Sequence, residues 1–260
     1  MSEVAQKETM LSFIDGDIVS NAETVAIRAI NVRGQVALEE TPFPTRKDED
    51  WRFIDMSSIK KNRFSSVSES NPSAIGDISK HFLPEAMNTR LVFVNGVYNE
   101  ELSSISELPH HVIVGNMTEF GEHDAVKEHL GNITNFEDDV FAPFNDAAFE
   151  DAAFIYLPEE TSVEAPIHIL NLFTDAEKAF YATPRLLFVG EMYSKATIIE
   201  EHIGLGDNLY LNVPVTEFRL FAGAHVHHAR IQRDSKKAVH VSRPIAMIDR
   251  NAEYHSYTIC

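Results

Sequence analysis

Histidine is the side chain in this sequence best placed to do chemistry, and its late occurrences gather at His202, His225, His227, His228, His240 and His255. His225 and His227 are two apart in a stretch of strand character, so they share one face and present two imidazoles side by side. Neutral imidazole is a common metal ligand, and in the repeat frame derived below His255 falls in the column of His227, one coil away. His225, His227 and His255 are therefore the candidate metal ligands. Glu200-Glu201-His202 invites the same question. Adjacent strand residues point to opposite faces, so these three are expected not to converge and to be exposed charge.

Metal-binding cupin strands carry the same His-x-His pair, completed by a glutamate a few residues on; here Ala229, Arg230, Ile231 and Gln232 stand in those places. Without a carboxylate or cysteine close in sequence to finish the shell, the expectation is surface histidines on a β face. A small cupin-like metal-dependent enzyme is the alternative. Other reactive signatures are missing. There is no G-x-x-x-x-G-K-[ST] phosphate loop and no G-x-S-x-G elbow, and Gly204-Leu205-Gly206-Asp207 is a turn without the rest of a dinucleotide fingerprint. The single cysteine, Cys260, leaves no partner for an internal disulfide or a multi-cysteine metal site.

The formal charge of −18, from 40 acidic and 22 basic residues, repels phosphate backbones and anionic headgroups, which argues against nucleic acid and membrane as partners. No apolar run approaches the ~18 residues of a membrane span, and MSEVAQKETM lacks the basic start and apolar core of a signal peptide. The expected address is the cytoplasm. A hydrophobic content of 44% over 260 residues is enough for a real core.

The elements that must position these residues divide the chain in two. Ser20 with Glu23 reads as a capping box, and Val25, Ala29, Val32 and Val36 then recur on one helical face, predicting a helix over about 21–38. It must stop before Pro42-Phe43-Pro44. The charged run Thr45 to Phe53 reads as a solvated loop anchored by Trp51, the only tryptophan. Phe64 to Asp77 reads as a surface connector. Arg90 to Tyr98, interrupted by Asn95-Gly96, predicts two hairpin strands, and Glu122 to Leu130 a second helix ended by Gly131. From Phe149 onward short apolar runs follow one another with almost no helical period, which predicts a β domain. The division expected is residues 1–145 as an α/β region and 146–260 as the β part.

An internal repeat sets the type of that β part. Decapeptides beginning at Ser194, Ala222 and Arg250 can be laid over one another at a spacing of 28. Their columns are Ala196, Ala224, Ala252; Ile198, Val226, Tyr254; and Ile203, Ile231, Ile259. The third column has the opposite parity to the first two, so a bend or bulge is expected between them. Tyr210–Phe221 and Ala238–Asp249 lie between the decapeptides, giving two strands and two turns per period. Coils stacked about 4.8 Å apart would bury such columns continuously. The fold class is therefore mainly β, a parallel β-helix of about 28-residue coils.

Three stretches carry a family resemblance: Pro42-Phe-Pro-Thr-Arg-Lys-Asp-Glu-Asp-Trp-Arg-Phe53, Arg90-Leu-Val-Phe-Val-Asn-Gly96 and Phe141-Ala-Pro-Phe-Asn-Asp-Ala-Ala-Phe-Glu-Asp-Ala-Ala-Phe-Ile-Tyr-Leu-Pro158. In order and spacing they resemble the SufD branch of the SufB/SufD family, subunits of the bacterial Suf scaffold for iron–sulfur cluster assembly. Pro166-Ile-His-Ile-Leu, Pro184-Arg-Leu-Leu-Phe-Val and Ile198-Ile-Glu-Glu-His-Ile-Gly204 continue the match, and the proline-led stretch favours SufD over SufB. The resemblance implies an N-terminal α/β region, a right-handed parallel β-helix and a C-terminal helical domain. It also implies pairing with a SufB-like paralogue through the β-helices and docking of a SufC-like ATPase. The chain is expected to end inside the β-helix, without the later coils and the ATPase-docking part. The family's cluster-binding positions transfer to no residue here. The reading that follows is a scaffold subunit, not an enzyme by itself, with no cofactor in the isolated chain and an iron–sulfur cluster at the level of the complex. An edge-to-edge homodimer is a further expectation, and a solenoid adaptor with no metal role is a further alternative.

Overall fold

A computed structural model describes residues 8–18, 20–67, 73–133 and 139–260. Helix α1 spans Val25–Glu40 and ends, as the prolines require, before Pro42. Its cap is Thr24, whose hydroxyl accepts from the Ile27 amide at 3.4 Å. Ser20 is not the cap; its hydroxyl instead donates to the Phe149 carbonyl at 2.9 Å. The valine stripe does share a face, but that face is solvent: Val25, Val32 and Val36 are exposed, while Ile27, Ile30, Asn31, Gly34 and Leu38 are buried. The buried face lies against the helix over Phe141–Ala148, and its polar and backbone contacts show why the apolar period alone marks the wrong side. Asn31 donates to the carbonyls of Asp146 and Phe149 at 2.8 and 3.1 Å.

Trp51 is buried against Phe141, with ring centroids 5.1 Å apart, and a short helix, α2 (Ser57–Lys60), follows. Phe64 and Ser65, expected on a surface connector, are buried, and Ser65 bridges to Phe180. Residues 68–72 of that connector lie outside the described residues. Strands β1 (Thr89–Val94) and β2 (Val97–Tyr98) form the expected hairpin, with Asn95 and Gly96 both at positive φ, 52° and 92°, as a two-residue primed turn demands. A two-residue β3 (Ser104–Ile105) also pairs with β1, and β4 (Ile113–Asn116) leads into α3 (Met117–Phe120) and α4 (Asp124–His129). Gly131 then takes the left-handed conformation, φ 70°. Helix α5 (Phe141–Ala148) is buried along its whole length.

The rest is solenoid. A first partial coil consists of β5 (Ala153–Leu157) and β6 (Ile167–Phe173). The second is β7 (Phe180–Ala182), β8 (Arg185–Gly190) and β9 (Lys195–Gly204). The third is β10 (Tyr210–Asn212), β11 (Val215–Leu220) and β12 (His225–Arg233), and the fourth is β13 (Val239–His240), β14 (Arg243–Ile248) and β15 (Glu253–Ile259). Equivalent strands stack in parallel into three sheets. Each full coil thus has three strands, not the two expected. The apolar run over 210–221 is broken at Val213-Pro214, where proline withholds an amide and turns the corner, as Thr183-Pro184 does one coil below.

The spacing is also corrected. Lys195 faces His225 and Arg185 faces Val215, an offset of 30 between the second and third coils. From the third coil to the fourth, His225 faces Glu253 and Val215 faces Arg243, an offset of 28. The turn after β9 is two residues longer than the turn after β12, because Leu211 pairs with Val239 at the shorter offset. The first column is therefore Ala196, Val226, Tyr254, and the second Ile198, His228, Ser256. A shift of two preserves parity, so Ala196, Ile198, Ala224 and Val226 face inward as the alternation predicts. Nor is there a bulge ahead of Ile203. It points out of the coil into a second cluster with Ile78, Val92, Leu170 and Leu172.

The N-terminal region closes the first end of the stack. Strand β1 adds in parallel to β6, and β4 adds antiparallel to β5. It also covers the outer face of β8 and β11, where Arg185 is buried between Asp146 of α5 and Glu217. Burial works against that guanidinium's charge, but the two carboxylates outweigh it and raise its pKa. No helix among the described residues is long and apolar enough to cross a membrane.

Candidate functional site

The solenoid sorts the histidines by strand parity. His225 and His227 point outward from β12, and His255 stands beside His227 on β15, as the repeat frame requires. The His227 and His255 rings stack with centroids 4.7 Å apart. The carboxylate that looked absent is supplied from the next coil: Glu253 lies 3.4 Å from His225 Nδ1 and 3.0 Å from His255 Nε2. Sequence proximity could not show it, because the offset of 28 is what makes Glu253 the neighbour of His225. These groups are half-exposed, and the Glu253 carboxyl sits below the ordinary range, held there by the hydrogen bond from His255 and the charge of His225. Among the described residues no three histidine, cysteine, aspartate or glutamate side chains are gathered so as to hold a metal ion.

The other histidines were misplaced by the surface reading. His202 and His228 are completely buried, and Glu200 and Glu201 are 2% and 1% exposed. Glu200 and His202 share a parity, point into the coil and meet at 3.0 Å. His228, one coil on, reaches the other Glu200 oxygen at 2.9 Å, and Thr216 donates to the same oxygen at 3.2 Å. Burial opposes the Glu200 charge, yet the bonds from His202 and His228 hold its pKa well below the usual carboxylate value. Glu201 does point the opposite way, as expected, but that face is covered too: it takes His168 at 3.2 Å and Arg233 at 2.8 Å. Exposure failed as a prediction because both faces of β9 are roofed, one by the coil interior and one by the N-terminal region.

The interior chain continues past Glu200. His228 Nδ1 lies 2.8 Å from the Tyr254 hydroxyl. His202 Nδ1 lies 3.1 Å from Asn212 Nδ2, which is also 3.1 Å from His240 Nδ1. His240 is 2.8 Å from Asp234, which accepts from the Tyr210 hydroxyl at 2.7 Å. The signal for these residues is present only as parity: all sit at even positions, and all but Asp234 lie on solenoid strands. Two surface grooves, about 360 Å³ between α1 and α4 and about 370 Å³ beside the Asn95-Gly96 turn, are lined without histidine or cysteine. The reactive side chains of the solenoid are thus hydrogen-bonded to one another and face neither groove.

A stack of parallel three-strand coils, covered at its first end by a small helical region, defines a parallel β-solenoid protein. A family description for the SufBD protein N-terminal region matches residues 15–169, and that for the SufBD core domain of SUF-system iron–sulfur cluster assembly matches residues 172–260. The chain belongs to the SufBD family. It is 30% identical over 222 residues to an iron–sulfur cluster assembly SufBD family protein of Synechocystis, covering 82% of this chain and 49% of that protein. It is 27% identical over 257 residues to the chloroplastic protein ABCI7 of Arabidopsis thaliana, covering 94% of this chain and 52% of that protein. The chain spans about half the length of these curated relatives.

Proposed function

We propose that this chain is a scaffold subunit of a Suf-type iron–sulfur cluster assembly complex, of the SufD type, and catalyses no reaction by itself. The observation that carries the reading is the family match along both halves of the chain, together with a solenoid in which the buried Glu200 carboxylate is paired with His202 and His228. The SufD assignment rests on the Pro42 to Phe53 stretch, in which Trp51 anchors the charged run to α5. Its partners on this reading are a SufB-like paralogue and a SufC-like ATPase, with the cluster held by the complex. The net charge of −18 weighs against nucleic acid and anionic membrane as alternatives. The working compartment is the cytoplasm; "chloroplastic" in the name of ABCI7 is a property of that protein.

Co-expression of the tagged chain with SufB and SufC homologues tests this reading. Recovery of a stoichiometric complex is the expected result, and recovery of the chain alone under conditions where SufB and SufC associate would reject it. A metal-dependent enzyme built on His225, His227 and His255 is the second reading, favoured only by the approach of Glu253 to two of those imidazoles. Metal content of the purified chain separates the two.

A further inference from the structure

Phe53 is 91% exposed, more than any other large apolar side chain among the described residues, and Ile54 beside it is 48% exposed. A single apolar side chain on a surface is ordinary. The backbone that carries this one, however, is fixed from both sides. Trp51, two residues back, is buried on the Phe141 ring of α5 at 5.1 Å, and the Arg243 guanidinium, itself paired with Asp139, lies 5.2 Å from the same indole. The Ile54 amide donates to the Trp51 carbonyl at 3.2 Å. Asp48 accepts from the Thr45 amide at 2.7 Å and its hydroxyl at 3.0 Å, and Asp55 accepts from the Ser57 amide at 2.9 Å and its hydroxyl at 3.1 Å. A contact made through Phe53 therefore has little backbone left to order.

Charge around the ring runs against the rest of the molecule. Residues 45–63 carry six cations and four carboxylates, +2 in a chain whose other residues sum to −20. Two of the four carboxylates, Asp48 and Asp55, are already turned onto local amides. Of the cations, Lys60 is paired with Glu8 at 2.9 Å, whereas the exposed Arg46, Lys47 and Lys61 have no ion-pair partner among the described residues. The Arg52 guanidinium lies 5.4 Å from the Phe53 ring. An aromatic anchor with arginine beside it and a charged rim is the make-up of a protein interface.

We propose that Phe53, with Ile54 and the cations around it, is a docking knob for a neighbouring protein subunit whose contacting face is an apolar pocket rimmed by carboxylates. The inference rests on the reading of this chain as one subunit of an assembly, and adds to it a contact on the N-terminal region. A second copy is the poorer occupant. Two copies meeting through this corner would set cation on cation, and a head-to-tail contact between copies would propagate without closing. An anionic bilayer is opposed by the net charge of −18 as soon as it extends past the corner.

The test uses SufB and SufC homologues purified together, into which the full tagged chain is titrated. Phe53→Ala should raise the Kd about tenfold or more, the loss expected on truncating a central anchor. Arg46→Glu with Lys47→Glu should weaken binding as well and flatten its salt dependence. All three side chains are exposed, so the isolated variants should unfold as the native chain does. Phe53→p-benzoylphenylalanine, irradiated in the same mixture, should cross-link to one homologue at a carboxylate-rimmed apolar pocket. A native chain that binds while Phe53→Ala loses less than that overturns the knob and leaves the subunit reading standing. So does a cross-link confined to the same chain or to a second copy, or sedimentation with phosphatidylserine–phosphatidylcholine vesicles that depends on Phe53. A native chain that does not bind at all rejects the subunit reading and the knob with it.

Discussion

A carboxylate as deeply buried as Glu200 must be matched by donors, and three side chains from three strands supply them. Replacing it with Gln keeps the shape but turns one acceptor into an N–H that faces an imidazole N–H. Glu200→Gln should therefore cost about 1.5–3 kcal/mol in urea unfolding at neutral pH, the scale of hydrogen bonds to a charged group. His225→Ala, on the half-exposed outer face, should stay within about 0.5 kcal/mol. The pH sign follows from the lowered pKa. The stabilisation from Glu200 is complete above its ordinary value of 4.5 and drains as pH falls through the lower folded value, and Asp234, held down by His240 against the cost of burial, behaves alike. Glu200→Gln should flatten that acid limb. The outer histidines should bind divalent metal weakly or not at all. Stoichiometric metal in the purified chain, lost in His227→Ala and His255→Ala, would revive them as a site.

Among the elements, the α1–α5 contact is where backbone shape is most demanding. A Cβ on Gly34 would overlap backbone atoms of Asp146 and Ala147, which cannot step aside as a side chain would. Gly34→Ala should cost about 1–3 kcal/mol despite the better helix propensity of alanine, and a stabilised variant would show that the helices are free to separate. The same contact explains what sequence could and could not reveal. Periodicity found α1, but its apolar stripe was the outer one, because the buried face spends positions on Asn31 and Gly34 for contacts with a helix over a hundred residues away. The Asn95-Gly96 hairpin was legible since its turn chemistry is local. The 28-residue repeat held between the third and fourth coils and failed below them, since a two-residue difference in turn length leaves parity, and hence the pattern, intact. Glu200 and His202 were read as surface for a related reason: alternation shows which residues share a face, but not whether something covers it.

At the scale of the molecule, the two ends of the stack formed by these 260 residues are unlike. The first is closed by β1 and β4, whereas β13, β14 and β15 each pair on one side only. The side chains of that last coil follow suit, with Met247, Ile248, Tyr257 and Ile259 all exposed and apolar. A row of free N–H and C=O groups beside such a patch is a template for another strand. Within one chain of this length, a single thiol at Cys260 also leaves too few thiolates for an ordinary cluster shell, so anaerobic reconstitution of the isolated chain should give no stoichiometric cluster by visible absorption.

The open edge makes its own prediction. Purified alone, the chain should either associate edge to edge through β13–β15 or fray there, because a second copy satisfies the free backbone groups at small cost while solvent leaves the apolar patch exposed. Light scattering should show a mass that grows with concentration, and hydrogen exchange should find those amides of 253–259 that do not donate to β12 protected only as association proceeds. Tyr257→Lys with Ile259→Lys places like charges along the edge and should return the chain to a monomer with rapid exchange in that strand. The interior core around Phe188 and Phe218 packs against Ala246 and Tyr254 of the last coil, while Tyr257 and Ile259 have the opposite parity to Tyr254 and are exposed, so unfolding of the body should not shift with those substitutions. A monomer at all concentrations whose 253–259 amides are as slow as those of β9 would show that the edge is satisfied within one chain.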